Sequence, residues 1–295
     1  MKVVSLLPAA TEIVCSLGLR EDLVARSHEC DFPAGVEALP ALTRARVDSS
    51  LTSAEIDEQV RKVVASRLPI YTLDEAKLGA LAPDVVVTQE ACEVCAISYD
   101  QVVAAVHSTS AGAQVIALSP TRLDHIIEDV RRVAGACGVS ERGFTVAEDL
   151  RRRLKQAAAS TTGRPRVAVI EWLAPVMLAG HWVPDSIQAA GGIAVGPKPG
   201  DPSPYATWEE VRALEPDAVI VAPCGFDLDR TLRESVPFAD RLSALAPRVL
   251  LLDGNAYLNR PGPRIVEAVE TIAAWLNGAV VPADRGAVWG AALST

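Results

Sequence analysis

The amino-acid sequence predicts an α/β protein with two Rossmann-like αβ lobes, whose sheets are mainly parallel and which are joined by one long backbone helix. Short apolar runs alternate with helical periods along most of the chain, as expected for parallel strands with crossover helices. The 295 residues also exceed the usual size of one domain. In addition, residues 78–87 resemble residues 211–221, since each segment is a helix that ends at Pro-Asp and continues into a buried strand. We therefore predict an N-terminal lobe at 1–138, a linking helix at 139–163 and a C-terminal lobe at 164–295.

Apolar runs and capping signals define the elements of the N-terminal lobe. The first run, Val3–Leu6, predicts a buried strand, and the following helix over 9–17 ends at Gly18. A capping box at Thr52–Glu55 predicts the start of a further helix. The remaining predicted elements of this lobe are strands at 23–27, 84–88 and 114–118 and helices at 53–66, 99–110 and 121–136.

The linking helix and the C-terminal lobe are predicted from the same kinds of sequence pattern. Residues 140–160 have one uninterrupted helical pattern, and its basic run, Arg151–Lys155, is typical of a solvated helix face. The chain beyond Pro282 is rich in Gly and Ala, and we predict that it is loosely held. The predicted elements of the lobe are strands at 167–170, 218–221 and 249–252 and helices at 185–190, 208–214, 229–245 (in pieces) and 264–277.

Composition excludes several classes of protein. Apolar residues make up 49% and charged residues 22% of the chain, which is ordinary for a globular protein and excludes a disordered or fibrous one. The 37 acidic residues outnumber the 28 Lys and Arg, and the net charge of −9 argues against a nucleic-acid partner. The longest uncharged stretch, Gln101–Thr121, contains Gly, Pro and several hydroxyl residues, so we expect no membrane insertion.

The beginning of the chain bears on the cellular location. Met1 and Lys2 lead directly into the first predicted strand, without the apolar run and small-residue cleavage site of a secretory signal. The sequence as written therefore predicts a cytoplasmic protein, or a periplasmic or cell-surface one if a leader was lost. Without an export signal, the six cysteines are interpreted as thiols.

Function is expected in the loops that follow the strands. In open α/β sheets these loops line the ligand cleft, and two lobes joined by one helix leave such a cleft between them. The sequence contains no GxSxG elbow, no GxxxxGK[ST], no GxGxxG after a strand and no HExxH. It therefore predicts a protein that is not an enzyme.

One group of residues in these loops has the chemistry of a metal site. His28 and Cys30 follow the second strand, and Cys92 and Cys95 form a CxxC after the 84–88 strand. Together they have the ligand types that bind zinc or iron, although His-x-Cys is not a common zinc spacing. A CxxC is also typical of a redox pair. Three interpretations remain open: a metal site, a redox pair, or cysteines with no chemical role.

Several motifs together resemble a known family over nearly the whole chain. They are Ser5–Glu12 (SLLPAATE), Asp31–Pro33, the Pro-Asp-apolar strands, Ala190–Gly192 and Arg260–Arg264. This set resembles the helical-backbone (class III) substrate-binding proteins of ABC importers, and most of all their cobalamin-binding members. The resemblance implies two αβ lobes that hold a metal chelate (cobalamin, haem or a ferric siderophore) between them, with no covalent cofactor.

The resemblance also implies which residues contact the ligand and the transporter. Several aromatic positions of the family's pocket are here replaced by Arg44, Gln89 and Ser203, which weakens stacking on a flat ring. Glu55 and Glu210, one on each lobe, correspond to acids that dock on an ABC permease, but each is also the fourth residue of a capping box. The alternative function is a cytoplasmic metal- or redox-site protein that uses the His28 and cysteine group. The implied ligand-binding residues are Pro8, Ala9, Glu29, Arg44, Gln89, Trp172, Trp182, Ser203, Tyr257 and Arg260.

Overall fold

The computed structural model describes residues 1–90, 99–109, 112–160 and 163–290. The chain forms two compact units. The division falls between Asp149 and Leu150, inside one long helix. The first unit comprises Met1–Leu51, Glu55–Pro120 and Asp124–Asp149, and the second comprises Thr52–Ala54, Thr121–Leu123 and Leu150–Thr295.

The first unit is built on a four-stranded parallel sheet in the order β2-β1-β5-β6, next to a separate antiparallel pair, β3-β4. The strands are β1 (Val3–Ser5), β2 (Leu23–Ala25), β3 (Thr43–Ala45), β4 (Tyr71–Leu73), β5 (Val85–Gln89) and β6 (Gln114–Leu118). The helices from the start of the chain through the long helix are α1 (Pro8–Ser16), α2 (Ser53–Ala65), α3 (Glu75–Leu81), α4 (Tyr99–Thr109), α5 (Leu123–Ala136) and α6 (Ser140–Ser160).

The second unit is built on a six-stranded mixed sheet in the order β12-β11-β10-β7-β8, with β9 also paired to β7. Its strands are β7 (Arg166–Leu173), β8 (Val176–Leu178), β9 (Ile193–Ala194), β10 (Ala218–Val221), β11 (Arg248–Leu252) and β12 (Gly286–Val288). Its helices are α7 (Val183–Ala189), α8 (Trp208–Ala213), α9 (Leu228–Ser235), α10 (Ala239–Leu245) and α11 (Ile265–Leu276), with a π-helical turn at Gly254–Leu258.

Burial of the strands explains why the sequence reads as apolar runs. Val85–Val87 of β5 and Ala218–Val221 of β10 are at most 3% exposed, and each strand is paired on both edges within its sheet. Parallel strands covered on both faces need continuous apolar runs rather than alternation. The predicted fold class is confirmed: the chain is α/β, with a parallel sheet, a mainly parallel sheet and one long helix between them in sequence.

The end of the chain differs from the prediction. Residues 286–288 form β12, which pairs antiparallel with β11, and Trp289 N–H donates to Val249 O at 2.9 Å. Trp289 also packs against the core of the second unit. The prediction that the chain beyond Pro282 is loosely held is therefore wrong for residues 286–289, because backbone pairing and one Trp anchor them despite the small side chains around them. Among the described residues, no helix has both the length and the apolar character that crossing a membrane requires.

A buried carboxyl on α5 gives the first unit a pH-dependent stability. Asp129 is 3% exposed, and burial raises the pKa of its carboxyl from 3.8 to about 6, although Arg132 Nη1 donates to Oδ1 at 2.7 Å. Because the folded state binds this proton more tightly than the unfolded state, the free energy of unfolding falls as pH rises from 3.8 through 6. We expect the loss to be about 2 kcal/mol.

The Asp129→Asn variant tests this assignment. Urea unfolding at pH 4.5 and pH 7.5 is expected to show a smaller difference in the variant than in the wild type, because the amide does not titrate. An equal difference in both proteins would show that another group is responsible.

Candidate functional site

A hydrogen-bonded cluster lies where β2 ends in the first unit. Thr43 Oγ1, on β3, donates to Ser27 Oγ at 3.0 Å and accepts the backbone N–H of His28 at 3.0 Å. His28 Nδ1 lies 2.6 Å from the same oxygen. Arg26 Nη1 donates to the carbonyl oxygens of Ser27 and His28 at 2.8 and 3.2 Å, which fixes the backbone at this point. The imidazole of His28 is therefore held in one orientation.

Two further side chains complete this cluster. The ring of Tyr71, on β4, is tilted by 52° against the ring of His28, with 5.3 Å between centroids. Tyr71 OH donates to Glu29 Oε1 at 2.8 Å, and that oxygen lies 4.0 Å from His28 Nε2. Burial, followed by the charge of Arg26, lowers the pKa of His28 below 6.5, so the imidazole is neutral at pH 7.

The other ligand residues implied for this unit are more dispersed. Arg44 is exposed on β3, where strand alternation places it on the face opposite to Thr43. Arg44 lines a cavity of about 270 Å³ together with Thr43, Asp74 and Lys77. Gln89 ends β5 and is half-buried. Pro8 and Ala9 open α1, with Pro8 half-buried and Ala9 only 2% exposed.

The structure describes only half of the residues suggested for a metal or redox site. Cys30 is 1% exposed, and Thr11 Oγ1 donates to its sulfur at 3.0 Å. Cys92 and Cys95 lie outside the described residues. No group of three or more His, Cys, Asp or Glu side chains within the described ranges is placed to hold a metal ion.

In the second unit, an aromatic pair follows the ends of the central strands. Trp172 lies near the end of β7 and is half-buried, and its Nε1 donates to Ser53 O at 3.1 Å. Phe226, in the loop after β10, is 2% exposed and tilts against Trp172 with 5.1 Å between ring centroids. The guanidinium carbon of Arg230 lies 3.7 Å from the centroid of the Phe226 ring. Trp172 therefore packs against a buried phenylalanine ring, which in turn contacts Arg230.

The loop after β11 contains the last two predicted ligand residues, Tyr257 and Arg260. Its π-helical turn is capped by Asp253, whose Oδ1 accepts from Ala256 N at 2.7 Å. Tyr257 is 8% exposed, with the guanidinium carbons of Arg264 and Arg285 at 5.4 and 5.6 Å from its ring centroid. Arg260 is 5% exposed and donates to Asn255 Oδ1 at 3.0 Å. Both side chains are therefore packed inside the loop, and little of either faces solvent.

Trp182 and Ser203 are anchored near this loop and near β8. Trp182 Nε1 donates to Leu258 O at 2.8 Å, which ties the start of α7 to the π-helical turn. His181 stacks on Trp182 with ring centroids 5.9 Å apart, and burial lowers its pKa. Ser203 Oγ accepts the backbone N–H of Gly180 at 3.0 Å and so holds the loop before Trp182.

The two acids implied for transporter docking are both exposed. Glu55 lies in the first turn of α2. Glu210 completes a capping box at α8, where its Oε2 accepts from Thr207 N at 2.7 Å and Thr207 Oγ1 accepts from Glu210 N at 3.1 Å. Within the described part of the chain, capping uses only Oε2 of the Glu210 carboxylate, and the residue itself is exposed.

The ligand-binding residues predicted from the sequence include none of Tyr71, Thr43 and Phe226, although Thr43 and Phe226 lie in segments expected to line the cleft. Tyr71 and Thr43 lie on three-residue strands, which are too short to show a period. Phe226 does follow a strand that the apolar run predicts, so its position after β10 was a usable signal.

A family model described as "Periplasmic binding protein" matches residues 3–245. The chain belongs to this family. A curated relative, the vitamin B12-binding protein of Vibrio cholerae serotype O1, is 23% identical over 279 residues, which cover 93% of this chain and 88% of the relative. The expected resemblance to class III substrate-binding proteins is therefore confirmed.

Solved structures of the family share the fold. The periplasmic vitamin B12-binding protein of Vibrio cholerae aligns with a TM-score of 0.67 at 21% identity, covering 94% of this chain and 96% of that one. The periplasmic haem-binding protein from Roseiflexus sp. RS-1 aligns with a TM-score of 0.65 at 21% identity, covering 94% and 98%. The cytoplasmic location expected from the sequence finds no support here, because the family and these relatives are described as periplasmic.

Proposed function

We propose that this periplasmic binding protein is a non-catalytic receptor for a metal chelate with a flat ring, either a cobalamin-like corrinoid or haem, and that it serves an ABC importer. Membership of the family supports a solute-binding role, and relatives named for vitamin B12 and for haem support the class of ligand. The observation that carries the proposal is the half-buried indole of Trp172, fixed by Ser53 O and by Phe226 at the end of a central strand.

The chemistry of the strand-end residues fits such a ligand. A fixed indole offers an apolar face on which a flat conjugated ring stacks at low cost in side-chain entropy. In the first unit, the neutral ring of His28 and the ring of Tyr71 form a second aromatic surface. The exposed guanidinium of Arg44, which forms no hydrogen bond or ion pair within the described part of the chain, suits a ligand carboxylate or phosphate.

Binding of purified protein to haem, cyanocobalamin and a ferric siderophore tests the proposal. We expect at least one of the first two to shift its absorption spectrum and to bind with micromolar or tighter affinity. Replacement of Trp172 by Ala should weaken that binding about tenfold, since an aromatic stacking contact contributes about 0.5–1.5 kcal/mol beyond buried area.

Phe144→Ala is the matched control, because Phe144 is an aromatic side chain on α6 that is 57% exposed and outside the strand-end loops. This variant should bind as the wild type does. If neither haem nor cyanocobalamin changes its spectrum or releases heat with the wild-type protein, the proposed function is wrong, whether or not the ferric siderophore binds.

The proposal also covers the cellular location of the protein and its contacts with the transporter. A binding protein that serves an importer works outside the cytoplasmic membrane, so we infer an extracytoplasmic location. Glu55 and Glu210 stay the proposed contacts with the permease, and both are exposed as that role requires. The metal or redox interpretation of His28, Cys30, Cys92 and Cys95 stays a prediction without a supporting observation, since the Cys30 thiol is buried.

A further inference from the structure

We propose that Glu234 is a positioning residue for ligand binding. It holds the connection between β3 and β4 in place through Ser53, and Ser53 in turn fixes the indole of Trp172. We call this connection, residues 46–70, the strap. The effect on the ligand rests on the proposed function, whereas the attachment of the strap can be measured without any ligand.

The strap has few buried side chains to hold it in place. Its base is closed in the first unit, where Arg46 N–H donates to Ile70 O at 2.8 Å. Between these two residues, where the structure describes every position, only Ser53 and Asp57 are buried, at 2% and 6% exposure. The helix of the strap, α2, has 13 residues, and helices of this length are marginal in water unless packing supports them. We therefore expect the order of α2 to depend on the contacts of its few buried residues.

Ser53 uses both of its backbone polar groups to attach the strap. Its N–H donates to Glu234 Oε2 at 3.1 Å, and its carbonyl oxygen accepts from Trp172 Nε1 at 3.1 Å. Thr52–Ala54 accordingly belong to the second unit, although the strap begins and ends in the first. If Ser53 leaves this position, the indole loses the acceptor that fixes it. The two hydrogen bonds are therefore coupled through one residue.

The position of Glu234 is unfavourable for its own helix and favourable for α2. Glu234 lies in the last turn of α9, near the negative end of that helix dipole. Its carboxylate accepts from the first residue of α2, where backbone N–H groups lack partners within the helix and the dipole favours a negative charge. This half-buried carboxylate therefore stabilises the start of α2 at the expense of α9, as expected of a residue that holds the strap.

The attachment matters for binding because it orders Trp172 before the ligand arrives. Phe226 packs against the indole, but a phenyl ring has no oxygen that accepts a hydrogen bond, so the direction of Nε1 depends on Ser53. An indole without this acceptor must be ordered when the ligand binds, at a cost in conformational entropy. Glu234 thus acts on the ligand through Ser53 and Trp172, without contacting it.

Hydrogen–deuterium exchange measured by mass spectrometry tests the attachment without ligand. We expect the amides of α2 to exchange about tenfold faster in Glu234→Ala than in the wild type, since a hydrogen bond to a charged group is lost. Glu234→Gln keeps an acceptor oxygen and should restore most of the protection. Arg233→Ala is the matched control, because Arg233 is the exposed neighbour on α9 and forms no hydrogen bond or ion pair within the described residues. Peptides from α11 should exchange equally in every variant.

Affinity for haem or cyanocobalamin, whichever the wild type binds, tests the positioning role. Glu234→Ala should weaken binding about threefold to tenfold, and Glu234→Gln should bind nearly as the wild type does. In a Trp172→Ala background, Glu234→Ala should have no further effect, because the effect passes through the indole. Arg233→Ala should bind as the wild type does.

The outcomes separate this inference from the proposed function. If Glu234→Ala leaves the exchange of α2 unchanged, or speeds exchange in α11 as much as in α2, the attachment is wrong whether or not a chelate binds. If α2 exchanges faster but the affinity is unchanged, or falls equally in the Trp172→Ala background, the positioning role is wrong while the receptor role stands. If neither chelate binds to the wild type, the proposed function and the positioning role both fail, and exchange still decides the attachment.

Discussion

Replacement of Phe226 by Ala is expected to lower the free energy of unfolding by about 3–4 kcal/mol, among the largest effects of any single substitution in this chain. The ring is 2% exposed and contacts both the indole of Trp172 and the guanidinium of Arg230. Its removal leaves a cavity and takes away the base on which Trp172 rests. Because whole domains are stable by about 5–15 kcal/mol, the loss should be evident in urea unfolding at neutral pH.

The same variant links stability to ligand binding. If Trp172 stacks on the chelate, then loss of Phe226 should also weaken binding under conditions where the variant is still folded. Phe144→Ala provides the comparison, since it removes the same aromatic group from a position that is 57% exposed and should change stability by less than about 0.5 kcal/mol. A Phe226→Ala protein that unfolds at the wild-type urea concentration would show that the ring does not support this part of the unit.

The elements that were predicted well are those with a long or unambiguous pattern. The helix at Ser140–Ser160 and the strands at Gln114–Leu118 and Ala218–Val221 lie where the sequence predicts them. The long helix has an uninterrupted helical period, and the two strands are continuous apolar runs. Neither pattern fits another type of secondary structure well. By contrast, β3, β4, β8 and β12 have only three residues each, and they form because partner strands pair with them.

The sequence predicted that the candidate site lies in loops after the strands, but it placed some residues of these loops wrongly. These errors have a common cause. The strand preceding Trp172 was predicted to end at Ile170, but pairing with β8 extends β7 to Leu173, with a register shift between Ile170 and Trp172. Arg44 was likewise expected in a loop and lies on β3, which directs it away from Thr43 and His28. Whether a side chain lies on one face of a strand or the other depends on pairing, which a single sequence does not contain.

Replacement of Gly254 by Ala is the second change with a large expected effect. This glycine begins the π-helical turn after β11, and a methyl group on its Cα would overlap the carbonyl oxygen of Pro223 and lie 2.9 Å from the carbonyl carbon and oxygen of Ala222. Backbone atoms cannot give way as a flexible side chain can, so the two strand-end loops must separate. We expect a loss of about 3 kcal/mol in the free energy of unfolding.

The geometry of the loops makes this substitution informative about binding as well. Asn255 N–H donates to Phe226 O at 3.0 Å and Asn259 Nδ2 donates to Ala222 O at 2.5 Å, so the loop that positions Tyr257 and Arg260 is attached to the loop of Phe226. Separation of the two loops should therefore weaken chelate binding even in the folded fraction. Gly135→Ala is the control, because no atom beyond its chain neighbours and the nearby backbone of its own helix lies within 4 Å of the added methyl group, and it lies in α5, where Ala is favoured by about 1 kcal/mol. Equal stability of the Gly254→Ala and wild-type proteins would mean that the two loops do not approach as closely as their backbone positions indicate.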